Sequence, residues 1–235
     1  MFRLFRRQRG KEEPDDLTGR LITVLDPYAK ASEAYRTLRT NLFYSVVDTP
    51  PKVIVLTSHA PREGKSTTCA NLGVVLAQAD KRTLIVDCDL RRPVIHKVFD
   101  LRNIDGLTNV LTGERELPEV WREPLKNLTV LTVGPIPLNP AEVLGSRRFS
   151  QFLDRVRREF DYVLLDAPPT HLVSDPMVLA SQGDGVLLVL DAQNTGKGAV
   201  RKSLRSLEAV GANILGTVMN NQEGSNVGGY YRYTY

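Results

Sequence analysis

Ser58-His59-Ala60-Pro61-Arg62-Glu63-Gly64-Lys65-Ser66-Thr67-Thr68 sets a glycine, a lysine and several hydroxyls between an apolar run, Val53-Ile54-Val55-Leu56, and a helical pattern. That context is what a phosphate-binding loop requires. Backbone N–H groups and the N-terminus of the following helix attract an anion. Lys65 reaches the β- and γ-phosphates of a nucleoside triphosphate, and Ser66 can ligate magnesium. Gly64 lets the backbone turn closely around the anion. A Gly-Lys-Ser triplet alone is common by chance, and His59 stands where the general spacing has its first glycine.

Two more chemical runs follow. Leu84-Ile85-Val86-Asp87-Cys88-Asp89-Leu90-Arg91-Arg92-Pro93 carries two carboxylates past an apolar stretch, and Val163-Leu164-Leu165-Asp166-Ala167-Pro168-Pro169 carries one. An acid at a strand end is often only a helix cap or turn former. Beside a phosphate loop, acids at the carboxyl ends of parallel strands can hold magnesium directly or through water.

The elements that must position these groups alternate along the chain. Strand-like runs occur at Val53–Leu56, Leu84–Val86, Leu128–Leu131, Tyr162–Leu165, Val186–Leu190 and Ile214–Val218. Several are apolar at almost every position, as strands covered on both faces are. Helical patterns at Lys65–Gln78, Ala141–Glu159, Asp175–Ser181 and Lys197–Val210 lie between them. The alternation implies an α/β fold of the P-loop NTPase kind, a mostly parallel sheet sandwiched by helices. Asp26-Pro27 offers a cap and first turn for one earlier helix, Tyr28–Tyr44, which carries Glu33, Arg36 and Arg39. Those charges can pair weakly within the helix or face a neighbouring subunit. The expected division is a basic arm at 1–25, a nucleotide-binding domain at 26–222 and a tail at 223–235.

Charge is uneven. Residues 1–11 hold five basic residues and no acid, leaving 26 basic against 27 acidic residues elsewhere. A nearly neutral body argues against a nucleic-acid-coating surface. The basic segment also holds Phe2, Leu4 and Phe5, which suits weak peripheral attachment to the anionic inner face of a membrane; a solvated arm is the alternative. No apolar run approaches the roughly 18–20 residues of a spanning helix, and the start lacks a secretory signal. Cys69 and Cys88 are too few for a disulfide framework and fit a reducing cytoplasm, each as a small core residue. Four of the eight tyrosines, Tyr230, Tyr231, Tyr233 and Tyr235, crowd the last six positions, where phenols are available to something outside the fold.

Taken together, the Gly-Lys-Ser loop, the Asp-x-Asp-x-Arg run at Asp87–Arg91, Asp166-Ala167-Pro168-Pro169 and the tyrosine cluster resemble the bacterial tyrosine kinases. These regulate capsular and exopolysaccharide synthesis. The resemblance runs from about Tyr28 to the C-terminus. It includes Glu33-x-x-Arg36-x-x-Arg39, similar to the family's ring-assembly motif, and Asn139-Pro140-Ala141-Glu142-Val143-Leu144. It implies ATP and Mg2+ as cofactors, with Arg62, Glu63, Gly64, Lys65, Ser66 and Thr67 forming the nucleotide loop and Asn220 contacting the adenine base. It implies that Lys65, Asp87, Asp89 and Asp166 are catalytic and that Ser66, Asp89 and Asp166 hold the metal. It makes Tyr230, Tyr231, Tyr233 and Tyr235 the autophosphorylated positions. The implied partners are further copies of the chain in a ring, a separate membrane activator protein and a tyrosine phosphatase.

One position departs from the pattern. The family loop usually reads Pro-Gly-x-Gly-Lys-Ser, and here the first of those glycines is Arg62. If a positive φ is needed there, arginine costs about 1 kcal/mol or more; otherwise it adds a cation near the phosphates. Two other functions fit the same fold. A partitioning or division-positioning ATPase would carry a second lysine at the position of Ala60 and needs no tyrosine tail. A nucleotide-regulated scaffold would tolerate loss of Lys65 or of an acid, and none is lost.

Overall fold

The protein is represented by a computed structural model that describes residues 21–44 and 50–221. Its strands are β1 (Val53–Ser58), β2 (Thr83–Asp87), β3 (Arg122–Leu125), β4 (Leu128–Leu131), β5 (Tyr162–Asp166), β6 (Gly185–Asp191) and β7 (Ile214–Asn220). They form one sheet in the order β3-β4-β2-β5-β1-β6-β7. Every neighbouring pair is parallel except β3 with β4. The P-loop NTPase-like α/β architecture expected from the sequence is therefore present.

The helices run α1 (Ile22–Leu25), α2 (Lys30–Tyr44), α3 (Lys65–Gln78), α4 (Ile95–Val98) and α5 (Leu107–Thr112). They continue as α6 (Leu117–Val120), α7 (Pro140–Leu144), α8 (Arg147–Glu159), α9 (Asp175–Ala180) and α10 (Lys197–Glu208). Strand residues alternate between two apolar layers, as the pleat requires. Val53 and Val55 face the layer containing Phe149, Leu153 and Leu179. Ile54 and Leu56 face the layer built on Leu72, Val75 and Leu76 of α3. This double coverage explains why β1, β2, β4, β5 and β6 are buried at every position. Cys69 and Cys88 are free and buried in these layers, the core role expected of them.

Helix α3 is buried from Thr68 to Ala77 because α1 and α2 cover the side that the sheet does not. Thr23 of α1 gives both its backbone N–H (3.1 Å) and its hydroxyl (2.8 Å) to Asn71 Oδ1. The helical turn Ile22–Leu25 thus packs on the body ahead of residue 26. Helix α2 begins at Lys30 rather than Tyr28, since Asp26 Oδ1 accepts from the Tyr28 N–H and shapes a turn first. The pattern at Ala141–Glu159 divides into α7 and α8 at Gly145-Ser146. There the Ser146 Oγ accepts from the Phe149 N–H at 3.2 Å and starts a new helix.

Gly73 sets the depth of α3 on the sheet. A Cβ there would lie 2.5 Å from Ile85 Cδ1 of β2 and 3.4 Å from Leu128 Cδ1 of β4. Gly73→Ala is expected to destabilise the fold by about 1–3 kcal/mol in urea unfolding, with partial recovery when Ile85 is shortened to valine. Full stability in the single variant would show that the two layers can separate freely at this point.

Candidate active site

The carboxyl ends of β1, β5 and β2 lie side by side, with β5 in the middle. Asp87 and Asp166 are register partners, and Leu56 pairs with Asp166 from the other side. The loop after β1 therefore opens directly over the two acidic strand ends. Gly64, the residue before α3, takes the left-handed conformation at φ 91°, which turns the chain into the helix N-terminus.

Lys65 is the centre of the arrangement. Its Nζ lies 3.2 Å from Asp89 Oδ2 and 3.4 Å from Asp166 Oδ1, and it donates to Ser66 Oγ at 3.1 Å. The side chain is only 11% exposed. Burial alone would lower its pKa, but the carboxylates of Asp166, Asp89 and Asp87 more than reverse this and raise it. The ammonium is a fixed charge at neutral pH. Burial raises the pKa of Asp166, against the opposing pull of Lys65 and a hydrogen bond from Ser66. Asp87 is pushed up to about 8 by burial and then by Asp166.

The two acids of the second run differ in what holds them. Asp87 is fully buried; its Oδ1 accepts the Asp89 N–H, and its Oδ2 accepts those of Val94 and Ile95. It organises the turn that carries Asp89. Asp89 Oδ1 accepts the Arg92 N–H at 3.0 Å, which leaves Oδ2 towards Lys65. Arg91 then pins this loop to α9, through Nε to Asp175 Oδ2 at 2.9 Å and Nη2 to Asp175 Oδ1 at 3.2 Å. Asp175 is fully buried, so the bidentate pair is a firm anchor. No local pattern along the chain signals this pairing, whose members lie 84 residues apart.

The rest of the loop is braced from within. Glu63 turns its carboxylate inward, where Oε2 accepts the Ala60 N–H at 2.9 Å and Oε1 accepts from the Thr195 hydroxyl. Its backbone remains part of the loop while its side chain holds the curve. Arg62 has φ 67°, so the left-handed conformation considered from the sequence is the one adopted, with its side chain in solvent. His59 Nδ1 contacts Ser203 Oγ of α10 at 2.9 Å, and its ring stacks on His171. Thr67 accepts from Asn71 Nδ2 through its carbonyl.

Asn220, at the end of β7, reaches this cluster as well. Its Nδ2 donates to the Glu63 carbonyl at 3.3 Å, and a Cβ on Gly64 would come within 1.8 Å of the same atom. Asp191, at the end of β6, was passed over in the sequence although it follows an apolar run just as Asp87 and Asp166 do. It accepts from Asn194 and Asn221 side chains and two backbone N–H groups, and these bonds, Asn194 first, hold its pKa at about 2. It anchors the loop that supplies Thr195 to Glu63.

The charges of α2 lie away from this site. Glu33 Oε2 pairs with Arg36 Nη1 at 2.9 Å, and Arg36 Nη2 also donates to the Pro27 carbonyl. Arg39 turns to the body, donating to the Val75 carbonyl at 3.0 Å. Tyr230, Tyr231, Tyr233, Tyr235 and residues 1–11 lie outside the described residues. Among the described residues, no three His, Cys, Asp or Glu side chains are grouped to hold a metal ion by themselves. Nor is any described helix long and apolar enough to cross a membrane.

Residues 51–217 match the family described as an AAA domain. The chain is 40% identical over 204 residues to the tyrosine-protein kinase YwqD of Bacillus subtilis, covering 86% of each chain. It is 35% identical to the putative tyrosine-protein kinase CapB of Staphylococcus aureus, over 88% of this chain and 91% of that one. The solved kinase domain of the Escherichia coli tyrosine kinase ETK superposes with a TM-score of 0.83 at 33% identity, covering 99% of this chain and 89% of that domain. Similarity of this extent, across nearly the full length of chains of the same size, places the protein in the family of bacterial tyrosine kinases, to which it belongs.

Proposed function

We propose that the chain is an ATP-dependent protein-tyrosine autokinase that regulates capsular or exopolysaccharide synthesis and export. It would transfer the γ-phosphate of ATP to terminal tyrosines of a neighbouring subunit. The observation that carries this reading is the buried Lys65 ammonium held between Asp89 and Asp166 at the mouth of a left-handed glycine turn. The residues fit a nucleotide with magnesium. The loop N–H groups and Lys65 suit the phosphates, while Ser66 and Asp166 would supply hard oxygen ligands to magnesium directly and Asp89 would reach it through water. When bound, magnesium would neutralise charge on the phosphates.

The chain's own groups do the rest. Lys65 shifts from the carboxylates to the transferred phosphoryl group, whose developing charge it stabilises. Asp89 Oδ2, no longer paired with Lys65, accepts the phenol proton, with Asp87 and the Arg91–Asp175 pair fixing its position. Asn220 lies beside Gly64, close enough to the loop to support a base-contact role. Neighbouring subunits would meet in a ring through α2, with Glu33 presenting its carboxylate outward. A membrane activator, a phosphatase and inner-face attachment through residues 1–11 complete the reading. Ala60 provides no second amine, so a positioning ATPase is not favoured.

Replacing Tyr230, Tyr231, Tyr233 and Tyr235 together with phenylalanine is expected to remove most autophosphorylation and leave ATP binding unchanged. Phosphate mapping by mass spectrometry checks this. Tyr28 and Tyr44 are the exposed competitors among the described tyrosines, at 96% and 80%. Phosphate found mainly on those two would overturn the tail assignment.

A further inference from the structure

Helix α10 presents an open groove of 460 Å³ lined by Gly198, Arg201, Lys202, Arg205, Ser206 and Ala209. Their spacing places all six along one stripe of the helix. Gly198, Ser206 and Ala209 give it a floor of small side chains, open over Gly198, where a Cβ would meet nothing within 4 Å. The walls are three exposed cations, and among the described residues none of them has a carboxylate within ion-pair distance. Helix α8 is richer in arginine but uses it differently. Arg155 and Arg157 are ion-paired there, and Arg148 donates to the Leu111 and Thr112 carbonyls. Glu208 is the one carboxylate on α10 itself.

We propose that this groove binds phosphotyrosine, and that its occupant is residues 222–235 of the same chain once those tyrosines carry phosphate. The proposal rests on the autokinase reading above. Planar guanidinium groups chelate phosphate oxygens in pairs, and the small floor leaves room for the phenyl ring. Geometry favours the chain's own terminus. Asn221, the last described residue, donates from Nδ2 to Asp191 Oδ2 at 3.0 Å, and only five residues separate Asp191 from Lys197 at the start of α10. Fourteen residues follow Asn221. Extended, they reach about 46 Å, whereas α10 is about 18 Å long. The tether gives the groove a high effective concentration of this one ligand.

Charge makes the contact conditional. Residues 222–235 contain one acid, Glu223, and one base, Arg232. Four phosphates would add roughly six to eight negative charges. Attraction to α10 therefore appears only after phosphorylation.

A labelled synthetic peptide of residues 222–235, phosphorylated on its four tyrosines, tests this by fluorescence anisotropy. The protein is the full chain with Tyr230, Tyr231, Tyr233 and Tyr235 replaced by phenylalanine, so it carries no competing phosphate. The phosphate is installed by synthesis, so the result does not depend on the chain's own kinase activity, which the tyrosine replacement above decides separately. The phosphopeptide is expected to bind about tenfold or more tighter than its unphosphorylated form. Arg201→Glu with Arg205→Glu should cancel that difference, while Arg147→Glu with Arg158→Glu on α8, an equal change of net charge at exposed sites, should preserve it. Equal affinity for the two peptides overturns the proposal, as does an equal loss in the α8 control. Phosphatidylserine vesicles that depend on α10 while the phosphopeptide does not would overturn it in favour of a lipid surface.

Discussion

Lys65→Met is expected to lower tyrosine phosphorylation by about a hundredfold or more, because it removes a largely buried cation placed to meet charge on the transferred group. The same change should extend the loss of stability to higher pH. Asp87 already has a folded-state pKa of about 8, above its ordinary value, with Lys65 among the groups holding it down. A carboxyl whose folded pKa is raised favours the fold at low pH and loses that contribution as pH rises towards the folded value. Without Lys65 the pKa rises further and Asp166 loses its nearest cation. The gap in unfolding free energy between variant and parent should therefore widen by about 1 kcal/mol from pH 7 to pH 9, as the parent's Asp87 ionises and the variant's stays protonated. Urea unfolding at both pH values measures it in nucleotide-free protein. A constant gap would mean that the acids are not coupled to Lys65, and undiminished phosphotyrosine would move the chemistry elsewhere.

Gly64→Ala is the second large effect. Its φ of 91° lies where an L side chain is strained, and the added methyl would sit 1.8 Å from Asn220 Nδ2. The amide can swing away, but the backbone strain stays. A stability loss of about 2 kcal/mol is expected, together with a fall of about tenfold or more in affinity for a non-hydrolysable ATP analogue by calorimetry. Adding Asn220→Ala should relieve the contact and recover only part of either loss. Complete recovery in the double variant would show that crowding, not φ, is what Gly64 avoids.

Where local chemistry and burial agree, the sequence was legible. The bounds of α3, Lys65–Gln78, follow from the loop that opens it and the apolar run that it buries. Strands β1, β2, β5, β6 and β7 were found by their apolar centres but extended too little, because Ser58, Asp87, Asp166, Asp191 and Asn220 are polar residues at their carboxyl ends. Edge strand β3 escaped because Arg122-Glu123-Pro124-Leu125 has no buried face to impose alternation. The Lys65 cluster with Asp89 and Asp166 could be anticipated from acids at strand ends, and Asp191 offered the same signal. The Arg91–Asp175 pair could not be, since 84 residues separate its members and no local pattern links them. Similarly, the inward turn of Arg39 depends on a carbonyl of α3 that helical spacing cannot foresee.

The strand order has a consequence for how the molecule comes into being. Strand β1 pairs only with β5 and β6, both later in the chain, and its C-terminal end meets Asp166 only after more than a hundred residues have followed it. At synthesis rates of about 5–20 residues per second, β1 waits several seconds with both edges unpaired. Closing so long a loop is also slow in itself. The nascent chain thus passes through a period in which a strand with an apolar run of four residues, Val53–Leu56, invites pairing with other chains, and chaperone demand should fall there rather than at the termini. The phosphate loop is among the first parts of the body to be made and among the last to become a site.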